Sequence, residues 1–150
     1  MKPMRKTSLL IAGIASISLF AGYQMLQPAT DIKTTGAKVE ASAATAMVQV
    51  TLPTTLTATA QLGQTAFDAK CAACHGLNAA GNVNAAPPLI HKIYEPSHHG
   101  DESFQRAVSQ GVQAHHWRFG NMARVDGLTR ADVTNIIAYI REVQRANGIF

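Results

Sequence analysis

Cysteine is scarce in this chain: its 150 residues hold two, Cys71 and Cys74. That scarcity excludes the disulfide-dense scaffolds of small secreted domains. Charge is scarce as well, 15% against 47% hydrophobic residues, which excludes the charge-rich compositions of disordered chains. Basic residues exceed acidic ones by four, but the excess is unevenly placed: Lys2, Arg5 and Lys6 sit at the start, and from Thr57 onward eight Lys/Arg face seven Asp/Glu. No basic stripe interleaved with aromatics appears in that region, so a nucleic-acid partner is not expected. Internal repeats are missing. So is any apolar–polar alternation after Thr57 long enough to build a sheet. What remains is room for one helical domain of ordinary size plus appendages.

The first appendage is residues 1–26. Lys2, Arg5 and Lys6 precede an uncharged run from Thr7 to Thr30, within which Leu9 to Leu26 is 18 residues with Gln24 as the one strongly polar side chain. A positive flank followed by an apolar stretch signals export, as a cleaved signal peptide or as an uncleaved anchor. Leu19-Phe20-Ala21 spoils the small-x-small cleavage pattern, and 18 apolar residues come close to spanning a bilayer. The reading favours the anchor, and either route places the remainder outside the cytoplasm, on the periplasmic side. Residues 27–56, rich in Ala, Thr and Val with Pro28 and Pro53, read as a flexible linker. Met47 to Leu52 alternates apolar and polar residues and could lie on the domain as an extended piece, although as a lone strand it has no partner.

The domain proper is residues 57–150, expected to be all-α. Thr57 caps a helix that runs through Ala60, Leu62, Phe67 and Ala69 to the cysteines. Gly63 interrupts it at a cost unless something approaches closely there. The stretch from Gly76 to Pro88 reads as a loop. Asp101 caps a short helix burying Phe104, Ala107 and Val108 and ending at Gly111. A second irregular stretch, Val112 to Leu128, holds the sole tryptophan. Thr129-Arg130-Ala131-Asp132 resembles a capping box, and Val133, Ile136, Ile137, Ile140 and Val143 follow on one helical face, with Gly148 as the stop.

Chemistry is written most openly at Cys71-Ala72-Ala73-Cys74-His75. Two thiols at this spacing can add to the two vinyl groups of a haem, and the histidine behind them can reach the iron: C-x-x-C-H reads as c-type haem attachment. A thioredoxin-like redox pair would need a βαβ setting, which is missing. His75 is thus the candidate proximal iron ligand. Met122, in the polar loop Gly120-Asn121-Met122, is the candidate for the opposite face, since a thioether stabilises reduced iron and suits electron transfer. His115 and His116 compete for that position, Met47 less so. Trp117 and Arg118 stand where an indole N–H or a guanidinium could hold a haem propionate. The pairs His98-His99 and His115-His116 could together bind copper or zinc, but spacing alone does not establish it.

These motifs resemble a small monohaem class I cytochrome c, across about residues 57 to 150. The resemblance rests on Cys71 to His75, on Met122 ahead of Gly127-Leu128-Thr129, and on Ala138-Tyr139-Ile140-Arg141 in the last helix. It implies that Gly63 and Phe67 pack against Tyr139 where the first and last helices cross. It implies too that Pro87, in Ala86-Pro87-Pro88-Leu89, accepts the proximal histidine's N–H. Ala86 and Ala123 stand where the family often has glycine and proline. The expected function is one-electron transfer through one covalent haem c, with no catalysis. The expected partners are redox proteins: a respiratory complex, a terminal oxidase, or a periplasmic reductase or dehydrogenase. A subunit fixed on a larger oxidoreductase is the alternative, and a haem enzyme with a labile sixth ligand a further one.

Overall fold

A computed structural model of the protein describes residues 44–150. The leader and most of the expected linker lie outside the described residues. Within the described residues the chain runs through α1 (Ala58–Lys70), α2 (Ala72–His75), α3 (Asp101–Gln110) and α4 (Arg130–Ala146), with 3₁₀ turns at Leu77–Ala79 and Lys92–Tyr94. Among the described residues no helix is long and apolar enough to cross a membrane. No strand forms there either; two isolated antiparallel bridges, Asn82–Ala86 and Val112–Met122, are the sole β pairing.

Helix α4 forms where its caps and its pattern agree. The Thr129 hydroxyl accepts from the Asp132 N–H, and the Asp132 carboxylate accepts from the Thr129 N–H, a complete capping box in spite of the short aspartate. The Thr129 hydroxyl, donating to the same carboxylate at 2.7 Å, and then the Thr129 N–H hold the Asp132 carboxyl below its usual range. Val133, Ile136, Ile137, Ile140 and Val143 are all buried, each stabilising the fold by roughly 1.5–3 kcal/mol. The helix ends as expected at Gly148: Asn147 is the C-cap and Gly148 takes a φ of 73°. Gly148 N–H donates to the Arg145 carbonyl and Ile149 N–H to the Gln144 carbonyl, a Schellman motif. The Asn147 amide adds bonds to the Val143 carbonyl at 2.7 Å and the Thr51 carbonyl at 2.8 Å.

Helices α1 and α4 cross at Gly63. A Cβ there would lie 1.8 Å from the Asn135 carbonyl oxygen, so the absence of a side chain is what lets the two backbones meet. One turn further on, Phe67 and Tyr139 are both fully buried, with ring centroids 5.7 Å apart and planes tilted by 53°, a separation at which aromatic pairs attract beyond their buried area. Ala60, Ala79, Leu89, Ile90, Ile136, Ile140 and Val143 complete the core.

Three expectations change. Asp101 is the first residue of α3, with Gly100 as its cap; its carboxylate instead accepts from Arg141 Nε at 2.9 Å. The buried side chain of α3 is Gln105, and Phe104, Ala107 and Val108 are half-buried. Gln105 turns inward because its amide donates to the Arg130 carbonyl and the Thr134 hydroxyl. Finally, the last dozen residues of the expected linker are docked. Met47 and Val48 N–H both donate to the Ala80 carbonyl, Val83 N–H donates to the Thr45 carbonyl, and Thr51 N–H donates to the Asn147 side chain. Val50 and Leu56 pack against the core. The segment forms no strand, because its partners are loop backbone and side-chain atoms.

Candidate functional site

Helix α1 delivers the cysteine motif. Cys71 N–H still donates to the Phe67 carbonyl at 2.7 Å, and the Cys71 carbonyl accepts from Cys74 N–H at 3.1 Å and His75 N–H at 2.9 Å. Spacings of three and four residues within one helical turn put Cys74 and His75 on the face of Cys71. Cys71 is half-buried and packs on the core; Cys74 is exposed. Burial, followed by the neighbouring Cys74 and Asp68, pushes the Cys71 thiol up to about 11.

The loop after His75 folds back over it. Gly81 N–H donates to the His75 carbonyl at 2.7 Å, and the His75 ring nitrogen Nδ1 lies 2.9 Å from the Pro87 carbonyl oxygen. A carbonyl can only accept, so Nδ1 carries the proton and Nε2 presents a free lone pair. Burial lowers the His75 pKa, and the Pro87 bond opposes that only in part, so the imidazole is neutral at pH 7, the form that coordinates a metal. Ala79, buried in this loop, takes a left-handed φ of 60°, an unusual conformation for a residue with a Cβ. Its carbonyl accepts from Leu89 N–H at 2.9 Å, which ties the loop to the Pro87–Pro88 segment.

Met122 is held from its backbone. Its N–H and C=O exchange bonds with Val112 at 3.0 and 2.9 Å, Asn121 Oδ1 accepts from Ala114 N–H at 2.9 Å, and Val125 N–H donates to Val108 at 2.8 Å. Gly111, at φ 80°, makes the approach possible, since a Cβ on it would meet the Met122 carbonyl at 2.5 Å. The Met122 side chain is half-buried. Met47, by contrast, packs on the His75 loop: its sulfur would touch a Cβ at Gly81 at 3.0 Å.

Trp117 lies against His91 in an edge-on contact, centroids 5.2 Å apart. Its indole N–H is buried without a hydrogen-bond partner of normal geometry. The Tyr94 hydroxyl is near enough that the indole offsets part of the rise burial causes in the tyrosine's pKa, yet too far or too misaligned to satisfy the donor. Arg118, beside it in sequence, is exposed.

Sequence reasoning assigned no role to Arg141. Its side chain is 8% exposed and satisfied by four acceptors: Asp101 Oδ1, the Tyr94 and His99 carbonyls, and Gln144 Oε1, at 2.6 to 2.9 Å. The guanidinium also lies 5.0 Å over the Phe104 ring. Gln144, fully buried, donates to the Leu89 and Tyr94 carbonyls. The signal available in the sequence was an arginine and a glutamine breaking the apolar face of α4 at helical spacing.

A helical domain with two cysteines and an oriented imidazole on one turn, closed by a proline carbonyl, defines a class: cytochrome c. The cytochrome c family model matches residues 60–144, and the chain belongs to that family. Comparison with curated proteins and with solved structures returned no match. Membership brings an all-α fold and a covalently attached haem c, and with them haem-based electron transfer as the family's activity. The residues present fit such a group: paired thiols, an imidazole with its lone pair free, and in Trp117 a buried donor awaiting an acceptor such as a carboxylate.

Proposed function

We propose that the protein is an exported one-electron carrier whose haem is joined to Cys71 and Cys74 and ligated by His75 and Met122. The observation that carries this reading is the 2.9 Å His75 Nδ1–Pro87 contact, which orients the ring and leaves its other nitrogen for iron. The haem supplies the redox couple. The chain's own residues hold the ligands still, and small reorganisation is what fast electron transfer requires. Pro87 fixes the His75 ring, and the Val112 bridge with Gly111 fixes the Met122 backbone. Trp117 Nε1 would be the donor that holds a haem propionate, which would satisfy the indole and offset the cost of burying it.

Placement favours Met122 over its competitors. Met47 packs against the loop that follows His75, whereas Met122 stands on a separate loop and would supply the second iron ligand from there. His115 and His116 are exposed and gathered with His98 and His99. With both axial positions filled by side chains, no coordination site is left for a substrate, which suits a carrier and not an enzyme. The partners are redox proteins outside the cytoplasm, reached through the basic-then-apolar leader of residues 1–26, retained as an anchor.

Met122→Ala tests the ligation. The variant loses the near-infrared absorption band of a thioether on ferric haem, takes up exogenous imidazole, and has a lower midpoint potential. Persistence of the band excludes Met122, and loss of the native spectrum in His115→Ala or His116→Ala selects a histidine in its place.

A further inference from the structure

Four of the six histidines in the chain, two from each of two loops, meet at one spot. His98 and His99 follow the Lys92–Tyr94 turn; His115 and His116 precede Trp117. The ligand atoms of His98, His99 and His116 all lie within 4.8 Å of one another. We propose that these three imidazoles form a surface site for a single divalent transition metal, with Zn²⁺ the ion its geometry fits.

The distances support a metal more closely than a chance cluster. His98 Nε2 and His116 Nε2 are 3.3 Å apart. Two imidazole nitrogens on one tetrahedral zinc, at Zn–N bonds of about 2.0–2.1 Å, stand about 3.3 Å apart as well. His99 approaches with its tautomer set: Nδ1 lies 2.6 Å from the Ile93 carbonyl, so Nδ1 carries the hydrogen and Nε2 offers its lone pair. A backbone carbonyl behind a ligating imidazole is the usual outer-shell support of a metal site. In the ion-free state one of the facing Nε2 atoms of His98 and His116 must keep a hydrogen to bond the other. Metal binding requires that ring to carry its hydrogen on Nδ1, so that both Nε2 lone pairs face the ion and the imidazoles stay neutral.

The cluster stands on fixed backbone. Arg141 Nη2 donates to the His99 carbonyl at 2.6 Å, and the Tyr94 ring packs on the His99 ring at 5.1 Å. On the other loop Trp117, next to His116, is held against His91. His115 stacks on His99 and touches His116, with Nδ1 2.8 Å from the Gln113 carbonyl; it or a water completes the tetrahedron. Three neutral nitrogens with one position left over match the borderline softness and coordination number of zinc, and imidazole suits Cu²⁺ by affinity though less by shape.

The proposal rests on these histidines and not on the ligation of the haem, and its test is separate. The haem-loaded full-length protein is titrated with Zn²⁺ by calorimetry near neutral pH. One ion binds saturably, and His98→Ala and His116→Ala each weaken it by about tenfold or more. Both rings are exposed, so the variants keep the parent haem spectrum, which shows that they are folded. Crystals soaked in Zn²⁺ give an anomalous peak bonded to all three nitrogens. Absence of saturable uptake, uptake unchanged in both variants, or a zinc peak elsewhere on the chain overturns the proposal.

Discussion

Tyr139 shows how much a single buried group can reveal. Its hydroxyl is buried without a hydrogen-bond partner of normal geometry, although the Gln64 side chain is near enough to act on it. Burial, with Asp68 adding to it, raises the phenol to about 12, and Gln64 offsets a little. The folded-state pKa therefore exceeds the unfolded value of about 10. Stability from this group is complete below pH about 10 and falls as pH rises toward 12, because the unfolded chain gives up its proton first. Tyr139→Phe removes that slope. Denaturant unfolding finds the two proteins within about 1 kcal/mol of each other near neutral pH, with the parent losing roughly 2–3 kcal/mol more by pH 12. His75 behaves oppositely while its Nε2 is free: its lowered pKa makes the folded chain prefer the neutral ring, so before haem is bound stability is lost as pH falls below the ordinary histidine value. At this scale the haem motif was legible, since covalent chemistry needs particular atoms at short spacing. Arg141 was not, because its four acceptors come from segments about 40 residues away in sequence or from its own helix.

Helices were legible in proportion to how locally they are determined. Helix α4 carries its own cap, its own apolar face and its own stop within one window. Helix α1 is less plain: its apolar face is weak, and Gly63 counts against it until α4 is known to lie on that glycine. Gly63→Ala tests the crossing. Helix propensity favours alanine by about 1 kcal/mol, yet the new Cβ would stand 1.8 Å from the Asn135 carbonyl oxygen, a backbone atom that cannot rotate away. Overpacking prevails, and thermal or denaturant unfolding registers a net loss of about 2–3 kcal/mol. A gain in stability would mean that the helices do not cross there. Of the docked stretch from Thr45 to Leu56 the sequence offered Met47 to Leu52 as a piece that could lie on the domain, but its partners, like those of the two 3₁₀ turns, are single carbonyls and amides that no periodicity encodes.

Across the whole molecule, Arg141 is the tie between α4, the start of α3 and the segment carrying Tyr94 and His99. Arg141→Ala strips the His99 carbonyl and the Gln144 amide oxygen of their guanidinium donor and leaves the Tyr94 carbonyl to Gln144 alone, and unfolding should show a loss of about 3 kcal/mol or more. Asp101→Asn, at the exposed end of the same network with 67% of its side chain in solvent, changes stability by less than about 1 kcal/mol. Equal losses in the two variants would show that the ion pair, and not the bonds to buried carbonyls, holds the segment.

The amino-acid sequence alone determined the covalent attachment motif, the helical class and the candidate axial residues. Each depends on residue type at fixed short spacing or on a 3.6-residue period. Which donors are left unpaired, which glycine lies under a neighbouring backbone and which histidines come together were decided by tertiary structure alone. Trp117 Nε1, Gly63 and the pairing of His98 with His116 depend on distances between residues far apart in the chain, and those distances exist once the loops have closed on the core.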